Sequence, residues 1–309
     1  MNLFARADFH TEMYMEHLRN RGSQRYPENP LVEVFQMRDR VFSLLSRAPG
    51  ESRGADAWMH LVIGPEKAML IDTGFGIGDL RALALRLSGG KPLIVVNTHF
   101  HGDHTLGNSY FDRVYCHEYD AEMIRRPLSP EQLKRFLPEA GHPDLYYTEK
   151  DLPPVRPVEV TGVPDGYVFD LGGGYEIELI HLPGHAPGGC GFIDRQERIL
   201  FSGDAILSTP IIITGPKPEG PNGAFSTVRS LRDALPKLIS KMDEFDVLYP
   251  GHSILEYTKT AVPAMLKACN EIIKDPGNYL EEGDNGHGTP AYLMDVGATG
   301  IIYTMNRIS

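Results

Sequence analysis

The chain has 309 residues and a formal net charge of −11, from 41 acidic and 30 basic side chains. That length is enough to bury a sizeable core, and the acidic balance, with no Lys/Arg-rich run, argues against a nucleic-acid partner. No apolar run approaches the roughly 20 residues that cross a bilayer, which excludes a helical membrane span.

The predicted elements follow in chain order. Residues 1–30 read as an N-terminal arm with a short amphipathic stretch at 9–18, closed by Arg21-Gly22 and by Pro27 and Pro30. They lack the basic start and apolar stretch of a secretory signal. Alternating or apolar runs predict strands at 32–37, 41–45, 59–63 and 68–71, with turns at Gly64-Pro65 and Asp72-Thr73-Gly74. Leu80, Leu83 and Leu87 share one face of a helix over 79–87. A buried-strand run at 92–97 leads into T-H-F-H-G-D-H, and a short strand follows at 114–116. Residues 118–166 form a polar, proline-punctuated insertion with helical pieces at 119–126 and 130–138, the kind of segment that makes a lid. His142, Tyr146 and Tyr147 are its candidates for lining a pocket. Further strands are expected at 175–182, 191–194, 198–201 and 247–249. A helix at 227–242 has Ser226 as its candidate N-cap, and Pro236 should kink or split it. Residues 261–274 form an amphipathic helix with Met265, Cys269 and Ile272 on one face, and 292–303 an extra strand pair after a Gly-rich loop.

The chemistry concentrates between Thr98 and His104. His99, His101, Asp103 and His104 put three imidazoles and a carboxylate at the end of a buried strand. Desolvating such groups costs several kcal/mol each unless they are paired, and a cation is the natural partner for all four. Gly102 suits that tight loop, which needs backbone freedom or a close approach of the chain. Three later residues each follow an apolar run and end it at a turn: His185 in L-P-G-H-A-P-G, Asp204 in L-F-S-G-D-A and His252 in L-Y-P-G-H. Strands that deliver ligands to one rim of a sheet have this form. Asp72, in L-I-D-T-G, either orients a ligand or simply turns the chain. His181 reads as structural. The three cysteines, Cys116, Cys190 and Cys269, are widely spaced and odd in number, which suits buried thiols in a reducing compartment and hence a cytoplasmic protein.

In this order, over residues 34–265, these motifs resemble those of the metallo-β-lactamase fold hydrolases, in the style of glyoxalase II and the family's lactonases. The resemblance implies an α/β protein, a four-layer αββα sandwich with a dinuclear metal centre at one edge. It implies that one ion takes His99, His101 and His185, that the other takes Asp103, His104 and His252, and that Asp204 bridges both. It divides the chain into the arm, a catalytic domain over 31–275 carrying the insertion, and a C-terminal extension, 276–309, packed on that domain.

Imidazole and carboxylate donors suit Zn²⁺, with Fe or Mn as alternatives. A water shared by two such ions would lose its proton near neutral pH, and the resulting hydroxide, beside Asp103 and His104, would be aimed at a carbonyl or phosphoryl group of the substrate, with a metal stabilising the oxyanion. The absence of a G-x-S-x-G elbow agrees with a route that needs no protein nucleophile. Asp204 stands where true metallo-β-lactamases carry Cys or Ser, which argues against antibiotic hydrolysis. His101 stands where flavodiiron proteins carry Glu, and Phe100 where glyoxalase II-like enzymes often carry His. The loop 206–222 suggests an apolar wall with Ile211 and Ile212 against substrate and Lys217 at its edge, and Tyr257, close to His252, is a candidate substrate-binding hydroxyl. The expected substrate is therefore a small ester, thioester or lactone. A mononuclear-iron sulfur or persulfide dioxygenase, a phosphodiester or β-lactam hydrolase, and a metal-bound regulatory protein are the alternatives, and a homo-oligomer is compatible with all of them.

Overall fold

Runs of β-branched and aromatic residues pair into three sheets in the computed structural model, which describes residues 9–48, 56–126, 133, 147–285 and 288–309. The chain divides into two compact units, an N-terminal one built on 9–163 with 169–176 and a C-terminal one built on 164–168 with 177–309.

In the N-terminal unit, eight strands lie in sequence order: Gln24–Tyr26, Asn29–Gln36, Val41–Ser46, Ala57–Ile63, Ala68–Ile71, Leu93–Val96, Arg113–His117 and Glu159–Val163. The first five are antiparallel neighbours, joined by tight turns such as the one closed by Gly64 N donating to Lys67 O at 2.9 Å. The last three are parallel to their neighbours, because crossovers return the chain to the same edge. One crossover is the helix Leu80–Ser88. Its N-cap is Asp79, which accepts from Ala82 N at 2.9 Å, and its stop is Gly89 in the left-handed region at φ 68°. Leu80, Leu83 and Ala84 are buried against Leu44, Leu61 and Leu70 of the sheet. Ile71 and Val96 are paired in register, so Asp72 and Asn97 leave the sheet side by side at its carboxyl edge, where open α/β sheets bind ligands.

The C-terminal unit repeats the device. Ile199–Gly203 and Val247–Pro250 are parallel, with Gly203 opposite Pro250, so Asp204 and His252 follow adjacent carboxyl ends. Cys190–Asp194 and then Glu176–His181 extend the sheet on one side, and Tyr257–Thr258 on the other. The helices Val228–Ile239 and Ala261–Lys274 bury Leu231, Leu235 and Leu238 with Met265, Cys269 and Ile272 in one apolar core. A four-stranded sheet is made of Ile211–Ile213, Gly300–Tyr303, Pro290–Asp295 and Glu281–Asp284.

Several expectations need correction. Thr227, not Ser226, caps its helix: its side chain accepts from Ser230 N at 3.1 Å, while Ser226 is fully buried and used elsewhere. Pro236 sits in the last turn and does not split the helix, which runs on to Ile239. The supposed insertion contains the strand Glu159–Val163, disguised by Gly162 and by half-exposed positions. The strand Ile211–Ile213 pairs in parallel with Gly300–Tyr303, so the extra C-terminal strands and the loop after Asp204 form one structure. Tyr147 packs with Phe75, Ile77 and Leu106. His142, Tyr146 and the helical piece at 130–138, apart from Leu133, lie outside the described residues. Among the described residues, no helix is long and apolar enough to cross a membrane.

Candidate metal centre

In the N-terminal unit, the turn after Leu93–Val96 gathers four of the predicted donors. His99 Nε2 and His101 Nδ1 lie 3.0 Å apart, aimed at a common point. The His99 and His104 rings are tilted at 48° to each other with centroids 4.2 Å apart, and His104 Nε2 is 3.5 Å from Asp103 Oδ2. His99 and His104 are buried, whereas His101 and Asp103 are partly exposed.

Asp72 organises this cluster from behind. It is buried at φ 61°, a left-handed conformation that Asp tolerates better than most residues. One carboxylate oxygen accepts from Thr98 N at 2.7 Å, and the other from Thr98 Oγ1 at 2.8 Å and His104 Nδ1 at 2.9 Å. Thr98 Oγ1 spends its proton on Asp72, so its lone pair receives His99 Nδ1–H at 3.0 Å. Both rings thus carry their proton on Nδ1, and Nε2 is the acceptor nitrogen. Imidazole ligands of metals are held in this way.

In the C-terminal unit, Asp204 Oδ2 lies 3.6 Å from His185 Nε2 and 3.3 Å from His252 Nε2, a carboxylate oxygen between two imidazoles. His185 Nδ1 donates to the carbonyl of Ile212 at 2.6 Å, which again makes Nε2 the acceptor nitrogen. His181 closes the loop that carries His185, with Nε2 donating to Pro187 O at 2.8 Å. In each unit imidazole nitrogens lie close to a carboxylate oxygen, the donor types a divalent cation takes, and the far nitrogens of His99, His104 and His185 are engaged by oxygens.

Ile211 is fully buried in the apolar core and Ile212 half-buried, so what this strand offers His185 is a backbone carbonyl. The Tyr257 hydroxyl donates to Ala298 O. Lys217 is exposed and donates to Ser309 O. Gly102 opens a single helical turn, Gly102–Thr105, without a positive φ; a close backbone approach occurs at Gly76, where an added Cβ would meet Gly107 Cα at 2.7 Å.

Sequence reasoning missed several supporting residues. Asn97 and Asn108 form a reciprocal amide pair at 2.8 and 3.1 Å, and both Asn97 Nδ2 and Thr73 Oγ1 donate to His104 O at 3.1 Å. Asp120, fully buried, accepts from Phe100 N at 3.0 Å, pinning the peptide between His99 and His101. A polar residue ending an apolar strand, as Asn97 does, was the one available signal.

A family model described as the metallo-beta-lactamase superfamily matches residues 54–252, a stretch containing both donor sets. The acyl-coenzyme A thioesterase MBLAC2 of Bos taurus is 30% identical over 235 residues, 69% of this chain and 78% of that protein. Its Gallus gallus counterpart is 30% identical over 184 residues, 56% of this chain and 65% of that one. The atrochrysone carboxyl ACP thioesterase nsrC of Aspergillus novofumigatus is 28% identical over 60% of this chain and 50% of its own length. Among solved structures, a metallo-beta-lactamase from Pontibacter korlensis superposes with a TM-score of 0.52 at 20% identity, covering 77% of this chain and 99% of that one. The DIM-1 metallo-beta-lactamase gives 0.54 at 17%, covering 79% and 99%. The chain belongs to the metallo-β-lactamase superfamily, and its fold is the mixed α/β fold of those neighbours.

Proposed function

We propose that this protein is a metal-dependent hydrolase that cleaves the thioester, or a related ester or lactone, of a small acyl substrate. The family resemblance assigns one ion to His99, His101 and His185, a second to Asp103, His104 and His252, and Asp204 to both. The observation that carries this is the orientation of the imidazoles: Asp72, Thr98 and the Ile212 carbonyl take the far nitrogens and turn Nε2 of His99, His104 and His185 into acceptors. Zn²⁺ suits such nitrogen-rich sets with carboxylates. Thioesters are favoured because the named relatives from animals and fungi are thioesterases. Burial of Cys116 and Cys269 supports a reducing, cytoplasmic setting.

When bound, such ions acidify a water and polarise the substrate carbonyl. The chain's own part is positional. Asp72 holds two rings in one tautomer and needs no reorganisation as charge develops. A thiolate leaving group, from a thiol of pKa about 8.5, departs without a dedicated acid.

The test is a metal assay and a substrate panel on the purified chain. Two zinc ions per chain are expected, with release of free thiol from acyl-coenzyme A thioesters and its loss in His101→Ala. Zinc-loaded protein inert toward thioesters, esters and lactones, or undiminished turnover in His101→Ala, would overturn the proposal.

A further inference from the structure

Arg307 is 3% exposed, yet among the described residues every partner of its guanidinium is a neutral oxygen. Nε donates to Ser226 O at 2.5 Å. Nη1 donates to Thr214 O at 2.7 Å and Pro216 O at 3.0 Å, and Nη2 to Ser226 Oγ at 2.5 Å and Gly184 O at 3.4 Å. All five N–H groups are used. Burial pushes its pKa down only to about 10, so the group is still a cation at neutral pH. A buried cation with no carboxylate among its described partners is costly.

What it grips explains its presence. Ser226 Oγ accepts from Arg307, so its proton goes forward to the carbonyls of Gly184 and His185, each at 3.2 Å. Thr214 directly follows the strand Ile211–Ile213, whose middle carbonyl fixes the His185 ring. That strand is paired with Gly300–Tyr303, and Thr304 N donates to Ile213 O at 3.3 Å. The backbone of His185 and its ring are therefore held by two different segments, and one guanidinium ties both together.

We propose that Arg307 is the positioning residue for the His185 loop, setting metal affinity through Ser226 and the 211–214 strand. The proposal rests on His185 being a metal ligand. Its test is zinc affinity of the full-length chain, by competition with a chromophoric chelator, together with the visible spectrum of the cobalt-loaded protein. Arg307→Ala and Ser226→Ala should each weaken one of two ions by 10–100-fold, the usual scale for losing a ligand's support, and shift the cobalt bands. Arg307→Lys, with fewer donors, should restore part of the affinity. Tyr303→Phe, which deletes the hydroxyl's bond to Pro276 O in the same segment, should lower the Tm and leave affinity unchanged. Wild-type affinity and spectrum in both Arg307→Ala and Ser226→Ala would overturn the proposal, and if Arg307→Ala fails to fold, Ser226→Ala decides. His185→Ala separates the two failures. If it loses one ion while the other variants do not, only the role of Arg307 falls; if it keeps both ions, the metal assignment falls and this proposal with it.

Discussion

Asp72 Oδ2 and His104 Nδ1 meet at 2.9 Å across 32 positions of sequence, both buried, because the strands that precede them are parallel neighbours. The same oxygen takes Thr98 Oγ1, so one carboxylate sets the tautomer of two rings. Asp72→Asn keeps size and tolerance of the left-handed backbone but discards the charge. Zinc affinity or turnover should fall 10–100-fold with the circular dichroism spectrum unchanged. Chelator competition measures this, and an affinity equal to wild type would refute it.

Asp120 acts on the backbone between the first two histidines. Asp120→Ala strips the Phe100 N–H of its acceptor in a buried setting, a loss of about 1–3 kcal/mol. Urea unfolding of the metal-free protein should show the midpoint moving down with the slope unchanged.

The core under the second donor set depends on helix packing. Leu231 is fully buried between the two helices of the C-terminal unit. Leu231→Ala should cost about 2–5 kcal/mol, from lost transfer energy and the cavity left behind. A change below about 1 kcal/mol in the same unfolding assay would show that the site collapses freely.

Burial pushes the Cys116 and Cys269 thiols well above their ordinary range, and Cys190 is buried with them. None of the three forms a disulfide. A chromogenic thiol reagent should find almost no reactive sulfur in the native protein and three after denaturation. Rapid labelling of native protein would contradict this burial.

On the surface, the hydrogen bond from Arg198 holds the Asp246 carboxyl down at about 2. A carboxyl depressed on folding stabilises the protein above its unfolded pKa of about 3.9 and loses that contribution as pH falls through about 2. Asp246→Asn should therefore flatten the fall in Tm between pH 4 and pH 2, by a small amount because the pair is exposed. A steeper fall in the variant would reverse the sign.

Much of this was legible in the chain. Apolar runs located Ala68–Ile71, Leu93–Val96 and Ala261–Lys274 to within a residue, because those segments are continuous apolar runs or carry a clean helical stripe. The donor motifs stood out because carboxylates and imidazoles seldom end apolar strands. Other features were invisible for physical reasons. Glu159–Val163 hid among polar residues because it is an edge strand, and Ile211–Ile213 is too short for its period to show. Arg307 gave no signal, since nothing local betrays a cation whose partners lie some 80 to 120 positions earlier. Long-range polar pairing has no sequence period.

Ile212 holds the His185 ring with its peptide oxygen, and no exchange of amino acid deletes a peptide oxygen. An alanine scan would pass over this position as silent, and natural variation could drift there among many residues at little penalty. What selection must preserve is the alignment of the strand with its neighbour, so a one-residue insertion or deletion near 211–213 should be far more damaging than any substitution at Ile212 itself.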